Sequence, residues 1–286
     1  MIDSILNRLA GFYDPLNRFW ENEKTHRVVA GVLVVVFLAA LAAIELNRQH
    51  LLPQGLAQIT PQSHYLAINT AFTLVLILEV VSLLFTLPCS LSRALGKQFE
   101  ILALIFMRGA FKEISYLPEP ITIDGHTDVL LRILSDGGGA IAVFALLGLY
   151  SKLLRHTDDT PRAGSSLMRF ITAKKTVALG MLIIFFCMGA YNGWLLLTGQ
   201  KMFHFFQTFY TVLIFCDILL VLIAQSFLPQ FRAIFRNSGY ALSTLLIRLA
   251  LTAPPFFNVL IGVASALFAV AVTIIYNTFY ITHKKG

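Results

Sequence analysis

The chain has 286 residues, of which 57% are hydrophobic and only 13% charged, against about 25% charged in soluble domains. That much apolar surface cannot be hidden in a water-soluble core, so soluble classes are excluded and an all-α, polytopic transmembrane helical bundle is expected. The net charge of +7 is accounted for by the loop bias of such a protein and does not point to nucleic acid as a partner.

Residues 1–27 are too polar to span. Ile2, Ile5, Leu6, Leu9, Phe12, Tyr13, Leu16, Phe19 and Trp20 nevertheless recur at helical spacing with charges between them. The pattern predicts an amphipathic helix in the membrane interface, kinked at Pro15, or else a flap packed on the protein's own loops. A removable signal peptide is not expected, because the first apolar run lacks a small-residue cleavage site and is long enough to be a span.

Eight spans follow, at about 28–44, 65–88, 99–117, 127–150, 176–198, 203–227, 239–253 and 256–280, most of them near the ~20 residues that cross a bilayer. The seventh is short and ends at Pro254-Pro255, so it is read as a partial span or as one kinked helix with the eighth. Sixteen of the 22 Lys and Arg residues fall at one end of these spans. Arg48, Lys112 and Lys201 fall at the other, and Arg108, Arg132 and Arg248 lie within. The bias predicts a plasma or cell inner membrane protein with both termini cytoplasmic.

A hairpin from Glu79 to Arg108 recurs, altered, from Asp217 to Arg248. The steps are 14, 4 and 11 residues through Arg93 and Lys97 in the first copy, and 15, 4 and 12 through Arg232 and Arg236 in the second. Pro88 and Pro229 precede turns expected at Arg93–Gln98 and Arg232–Asn237. An internal duplication is inferred, giving two four-helix units of the same orientation, 28–150 and 176–286, joined by a basic cytoplasmic linker at 151–175. At 1.5 Å per residue, Glu79 and Arg108 come out about 21 and 17 Å from the turn, and Asp217 and Arg248 about 23 and 18 Å. These four are expected to form two intramembrane ion pairs, either as buckles that hold helices in register or as parts of a polar pathway or gate.

The fourth span carries Asp128, Arg132 and Asp136 at four-residue intervals on one helix face, followed by Gly137, Gly138 and Gly139. Three glycines at depth permit either close helix packing or an unwound segment with free carbonyls. A specialised site, if there is one, is placed here. Asn69, Asn192, Gln207, Asn258 and Asn277 are further polar groups at depth, read first as interhelical hydrogen bonds. Gly189-x-x-x-Gly193 reads as a packing face within or between subunits, and residues 203–210 as an outer aromatic belt.

Cys89, Cys187 and Cys216 suggest neither disulfides nor zinc. His50, His64, His126 and His204 all fall on the outer side, in no ligand spacing, so no metal site is expected. No P-loop, GxSxG, HExxH or Rossmann pattern occurs, and no enzyme chemistry or cofactor is expected. The functional expectation is a channel or ion-coupled transporter for a small ion or polar solute. The alternative is a non-transporting scaffold or sensor that docks a cytoplasmic partner or anionic lipid. The lipid bilayer is the partner common to both, with a homo-oligomer as a further option.

Overall fold

The computed structural model describes residues 2–51, 53, 60, 63–88, 90–117, 127–154, 165–227 and 231–284. Among them it forms nine α-helices and no strand. They are α1 (Ile2–Glu21), α2 (Glu23–Arg48), α3 (Tyr65–Thr86), α4 (Leu91–Glu113), α5 (Thr127–Leu153), α6 (Ser165–Leu197), α7 (Phe205–Phe227), α8 (Phe231–Thr252) and α9 (Phe257–Lys284). Cys89, His126, Pro229 and residues 155–164 of the expected linker, including Thr160-Pro161, lie outside the described residues, and the linker's remainder from Ser165 belongs to α6.

Six helices are long and apolar enough to cross a membrane: α2, α3, α5, α6 from Met168, α7 and α9 as far as Thr278. The chain is therefore an integral membrane protein. The other two long helices, α4 and α8, carry Arg93, Lys97, Arg108 and Lys112 and Arg232, Arg236 and Arg248, and composition alone does not make them spans. Their side chains nevertheless sort by a membrane rule. Leu104, Met107 and Phe111 of α4, and Phe235, Leu242 and Leu249 of α8, are exposed. Gln98, Asn237, Ser243, Thr244 and Arg248 are buried. Polar inside and apolar outside suits a lipid solvent, not water.

Two boundaries differ from expectation. Arg93–Gln98 and Arg232–Asn237 are helical, not turns, because α4 and α8 start at Leu91 and Phe231. In the first hairpin α3 ends at Thr86, Leu87 and Pro88 turn away from it, and the Ser90 side chain caps α4 by accepting a hydrogen bond from the Arg93 amide at 3.4 Å. Arg, Ala, Leu, Lys and Gln are good helix formers and outweigh the single Gly96 in the first stretch, so the helix extends through it. The seventh segment is accordingly a full 22-residue helix, separate from α9.

The apolar core forms two clusters, and each draws on both sequence halves. One joins α1, α3, α6 and α7 around Leu84, Ala178, Phe209 and Leu213. The other joins α4, α5, α8 and α9 around Leu102, Val143, Ile247 and Ala269. α4 packs on α8, and α5 on α9. Helix α1 runs unbroken through Pro15 and lies on the protein: the Tyr13 hydroxyl donates to the Phe85 carbonyl at 2.6 Å, Trp20 stacks on Phe85, and Lys175 pairs with Asp14 at 2.6 Å. Its other face leaves Phe12, Leu16 and Phe19 exposed.

Close approach in the second cluster relies on glycine and serine. A Cβ at Gly139 would stand 2.5 Å from a Val259 methyl carbon, and one at Gly262 would stand 2.7 Å from the Phe106 ring. Ser243 and Ser265, both fully buried, stand hydroxyl to hydroxyl at 2.9 Å, with each hydroxyl also within reach of the other's carbonyl, at 3.1 and 2.8 Å, so their two protons are shared among three contacts. Gly138, by contrast, faces open space. Gly262→Ala is therefore expected to destabilise the protein by about 1–3 kcal/mol through overpacking. Gly138→Ala should stabilise it by about 0.5–1 kcal/mol through helix propensity. Melting temperatures of the two variants in detergent should move in opposite directions.

Candidate functional site

The deepest charges come from α7 and α8. Asp217 is 7% exposed and Arg248 2%, and Arg248 Nη2 stands 3.7 Å from Asp217 Oδ2. That separation is an ion pair without a good hydrogen bond. Asp217 Oδ2 and Arg248 Nε and Nη2 have no hydrogen-bond partner. Thr244, one turn before Arg248, lies beside Asp217 and spends its hydroxyl on the Ala241 carbonyl at 2.8 Å.

The first hairpin is arranged differently. Arg108 Nη1 donates to the Phe72 carbonyl at 3.0 Å, and among the described ion pairs none joins Glu79 to Arg108. The two remain within electrostatic reach of one another. The cause is the earlier start of α4. Arg108 lies 18 residues beyond the cap at Ser90, about 27 Å along the helix, while Glu79 lies only eight residues before Leu87, about 12 Å. An arginine this far beyond its acid takes the nearer carbonyl on α3.

Tyr210 links the two hairpins. It is 6% exposed, on α7, and feels the charges of Arg248, Arg108 and Glu79 together. The sequence reading placed it in an outer aromatic belt. Instead Phe205 and Phe209 turn inward onto Phe185 at 5.2 and 4.8 Å, and Tyr210 follows them into the core. A tyrosine two turns before a buried aspartate on one helix was the available signal.

On the other face of α4 the α5 residues gather. Asp136, 8% exposed, accepts from Asn258 Nδ2 of α9 at 3.0 Å, and its carboxylate fills the space over Gly109, where a Cβ would be 2.6 Å from Oδ2. Arg132 leaves its own helix and pairs with Glu113 at the end of α4, Nη1 to Oε2, at 3.7 Å. Asp128 is exposed at the start of α5. The three charges of α5 therefore each go a separate way, because partners on α4 and α9 are nearer than the next turn. Glu113 was missed; its place five residues after Arg108, at the end of the same helix, was the clue. Gly137–Gly139 are helical, with Gly139 packed on Val259, so the backbone there is closed.

Arg108 and Gly109 are neighbours, and so the clusters stand back to back. Asn277 Nδ2 donates to the Leu153 carbonyl at 2.7 Å, tying α9 to α5. Asn192 Oδ1 is buried without a partner, while Gly189 and Gly193 face outward with little against them. His64 bridges Glu45 at 3.2 Å and Arg48 at 3.1 Å, and among the described residues no cluster of three metal-ligating side chains occurs. Cys187 and Cys216 are free thiols. Comparison with protein-family models, curated proteins and solved structures brings out no match.

Removing one member of the α7–α8 pair strands the other. Asp217→Asn is expected to cost about 3–5 kcal/mol, while Asp217→Leu combined with Arg248→Met should recover most of it. Glu79→Gln should cost less than Asp217→Asn, since Arg108 keeps the Phe72 carbonyl. Thermal unfolding of the three variants in one detergent checks the order.

Proposed function

We propose that the chain is a transporter or channel for a small ion or polar solute, with α4 and α8 as the third and seventh of eight spans in a bundle built from two duplicated, same-orientation four-helix units. The inverted polarity of α4 and α8 supports eight spans, and the α4–α8 and α5–α9 contacts suit a pseudo-two-fold axis along the membrane normal. With the basic ends inside, both termini face the cytoplasm of a plasma or inner membrane.

The observation that carries the reading is the deficit at Asp217 and Arg248. Two charges at membrane depth cost about 5–7 kcal/mol on insertion scales. Their attraction at this range returns roughly 4 kcal/mol at an effective dielectric near 20. The unpartnered nitrogens and oxygen add nothing. A pair kept at a net cost serves something other than stability. In this reading Glu79, Arg108, Tyr210, Asp217 and Arg248 form the gate or coupling element, and Asp128, Arg132, Asp136 and the glycines beside them line the solute path from the outer end.

A scaffold or sensor is the second reading. It is favoured by one observation: the α5 glycine run is an unbroken helix packed on α9, and Asp136 is satisfied by Asn258, as in a dry interior. Flux in liposomes separates the two. Asp136→Asn and Arg132→Gln should each reduce ion or solute flux by about tenfold or more, a loss of one charged interaction, while both variants remain monodisperse. Unchanged flux in both removes the α5 residues from the path. No flux from the intact protein across a panel of ions and polar solutes leaves the scaffold.

A further inference from the structure

Helix α1 meets the rest of the bundle along one side. Tyr13, Asn17 and Trp20 share that side at 100° per residue, and the rings of Tyr13 and Trp20 both lie on Phe85, at 5.9 and 5.7 Å between centroids. Tyr13 and Trp20 stand seven residues apart, about 10 Å along α1. A helix running alongside α3 would spread two such contacts over two turns of its neighbour. Because both fall on one ring, α1 crosses the end of α3, where Phe85 is the last residue but one. Helix α3 is long and apolar enough to span, so α1 lies broadside at the level where that span leaves the bilayer.

The side of α1 turned away from the bundle is sorted by polarity. Phe12, Leu16 and Phe19, 69%, 45% and 67% exposed, fall within an arc of about 60°, whereas the exposed Arg18 and Glu21 lie about 180–240° round from Phe12. A helix with water over its whole free surface gains nothing from that separation. We infer that α1 is an in-plane membrane anchor, with Phe12, Leu16 and Phe19 seated at the boundary of headgroups and acyl chains in the leaflet where α3 ends. The next exposed apolar side chains along the sequence are Val28 and Val32 of α2, a span of which only 6% is buried. The stripe therefore leads into a helix that lipid already surrounds. A soluble protein seated on it would have to enter the edge of the bilayer.

The partner is the lipid surface itself, held by apolar area and not by headgroup charge. Arg18, Lys24 and Arg27 are exposed beside Glu21 and Glu23, and Arg27 pairs with Glu23 at 3.5 Å. Three cations against two acids give an anionic headgroup little to hold. On its other side α1 is fastened to the bundle, with the Tyr13 hydroxyl on the Phe85 carbonyl and Asp14 on Lys175. The anchor thus ties the membrane surface to α3 and α6. It does not depend on transport, since it needs only that α3 spans.

The test uses the full-length protein in phosphatidylcholine vesicles, with Trp20→Phe and Trp194→Phe as a background free of tryptophan. Fluorescence of Phe12→Trp and Phe19→Trp should be lost in phosphatidylcholine brominated along its acyl chains and should survive iodide in the buffer. Arg18→Trp should behave in the opposite way. Replacing part of the phosphatidylcholine by phosphatidylglycerol, or raising the salt, should leave the loss at positions 12 and 19 unchanged. If a variant is not monodisperse, the unaltered protein is photolabelled with a phosphatidylcholine carrying a diazirine in its acyl chain, and adducts should appear in the tryptic peptides 9–18 and 19–24. Three outcomes overturn the proposal: iodide reaching positions 12 and 19 while bromine does not, bromine quenching that appears only with phosphatidylglycerol, or no lipid adduct within residues 9–24.

Discussion

Charge in hydrocarbon needs a partner, and most of this architecture follows from where the partners stand. Arg108 and Arg248 are carried by the two least apolar long helices, α4 and α8, and these pack on each other and are flanked by α3, α5, α7 and α9. Both present leucine, methionine or phenylalanine outward, while α4 buries Gln98 and half-buries Arg108, and α8 buries Asn237, Ser243, Thr244 and Arg248. In water the same sequences would form helices turned the other way. The bilayer reverses the usual inside and outside, and the arginines become core residues because no other surface will accept them.

That arrangement demands close backbones. Without a hydrophobic drive between helices in lipid, association rests on packing and on hydrogen bonds between small residues. Gly139 against Val259, Gly262 against Phe106 and the Ser243–Ser265 clasp supply both along the α5–α9, α4–α9 and α8–α9 seams. Gly109 does something different: it makes room for a carboxylate. The Asp136 side chain occupies the space a Cβ would take, so the acid of α5 and the arginine of α4 sit on adjacent residues' opposite sides. A helix can hold two polar clusters apart in this way without a wide polar face.

The helical membrane class and six of its long apolar helices were legible because twenty-residue apolar runs have few other uses. The two charged helices were harder. Arg93–Gln98 and Arg232–Asn237 looked like turns because charge near a proline usually marks a loop, yet their helix propensities were high throughout and the real break fell at Pro88 and Ser90. That error of one element boundary moved Arg108 outward by several residues and turned an expected Glu79 contact into a bond to the Phe72 carbonyl. Asp217 with Arg248 survives a similar shift because α7 and α8 still bring the two side chains within 3.7 Å. The signals at Tyr210 and Glu113 were present but too common to single them out. Aromatic runs near a span end and acids near a helix end occur in every membrane protein, and only tertiary packing tells which one turns inward.

The two hairpins, alike in spacing, therefore differ in chemistry. In the first, Arg108 is satisfied by a backbone carbonyl, and Glu79 keeps one oxygen without a partner at electrostatic distance. In the second, both charges share an ion pair whose hydrogen-bonding atoms remain partly unused. The α3–α4 side thus holds its arginine on the backbone, and the α7–α8 side holds two opposite charges side by side in the core, so the same residue types at the same spacing reach two different packings.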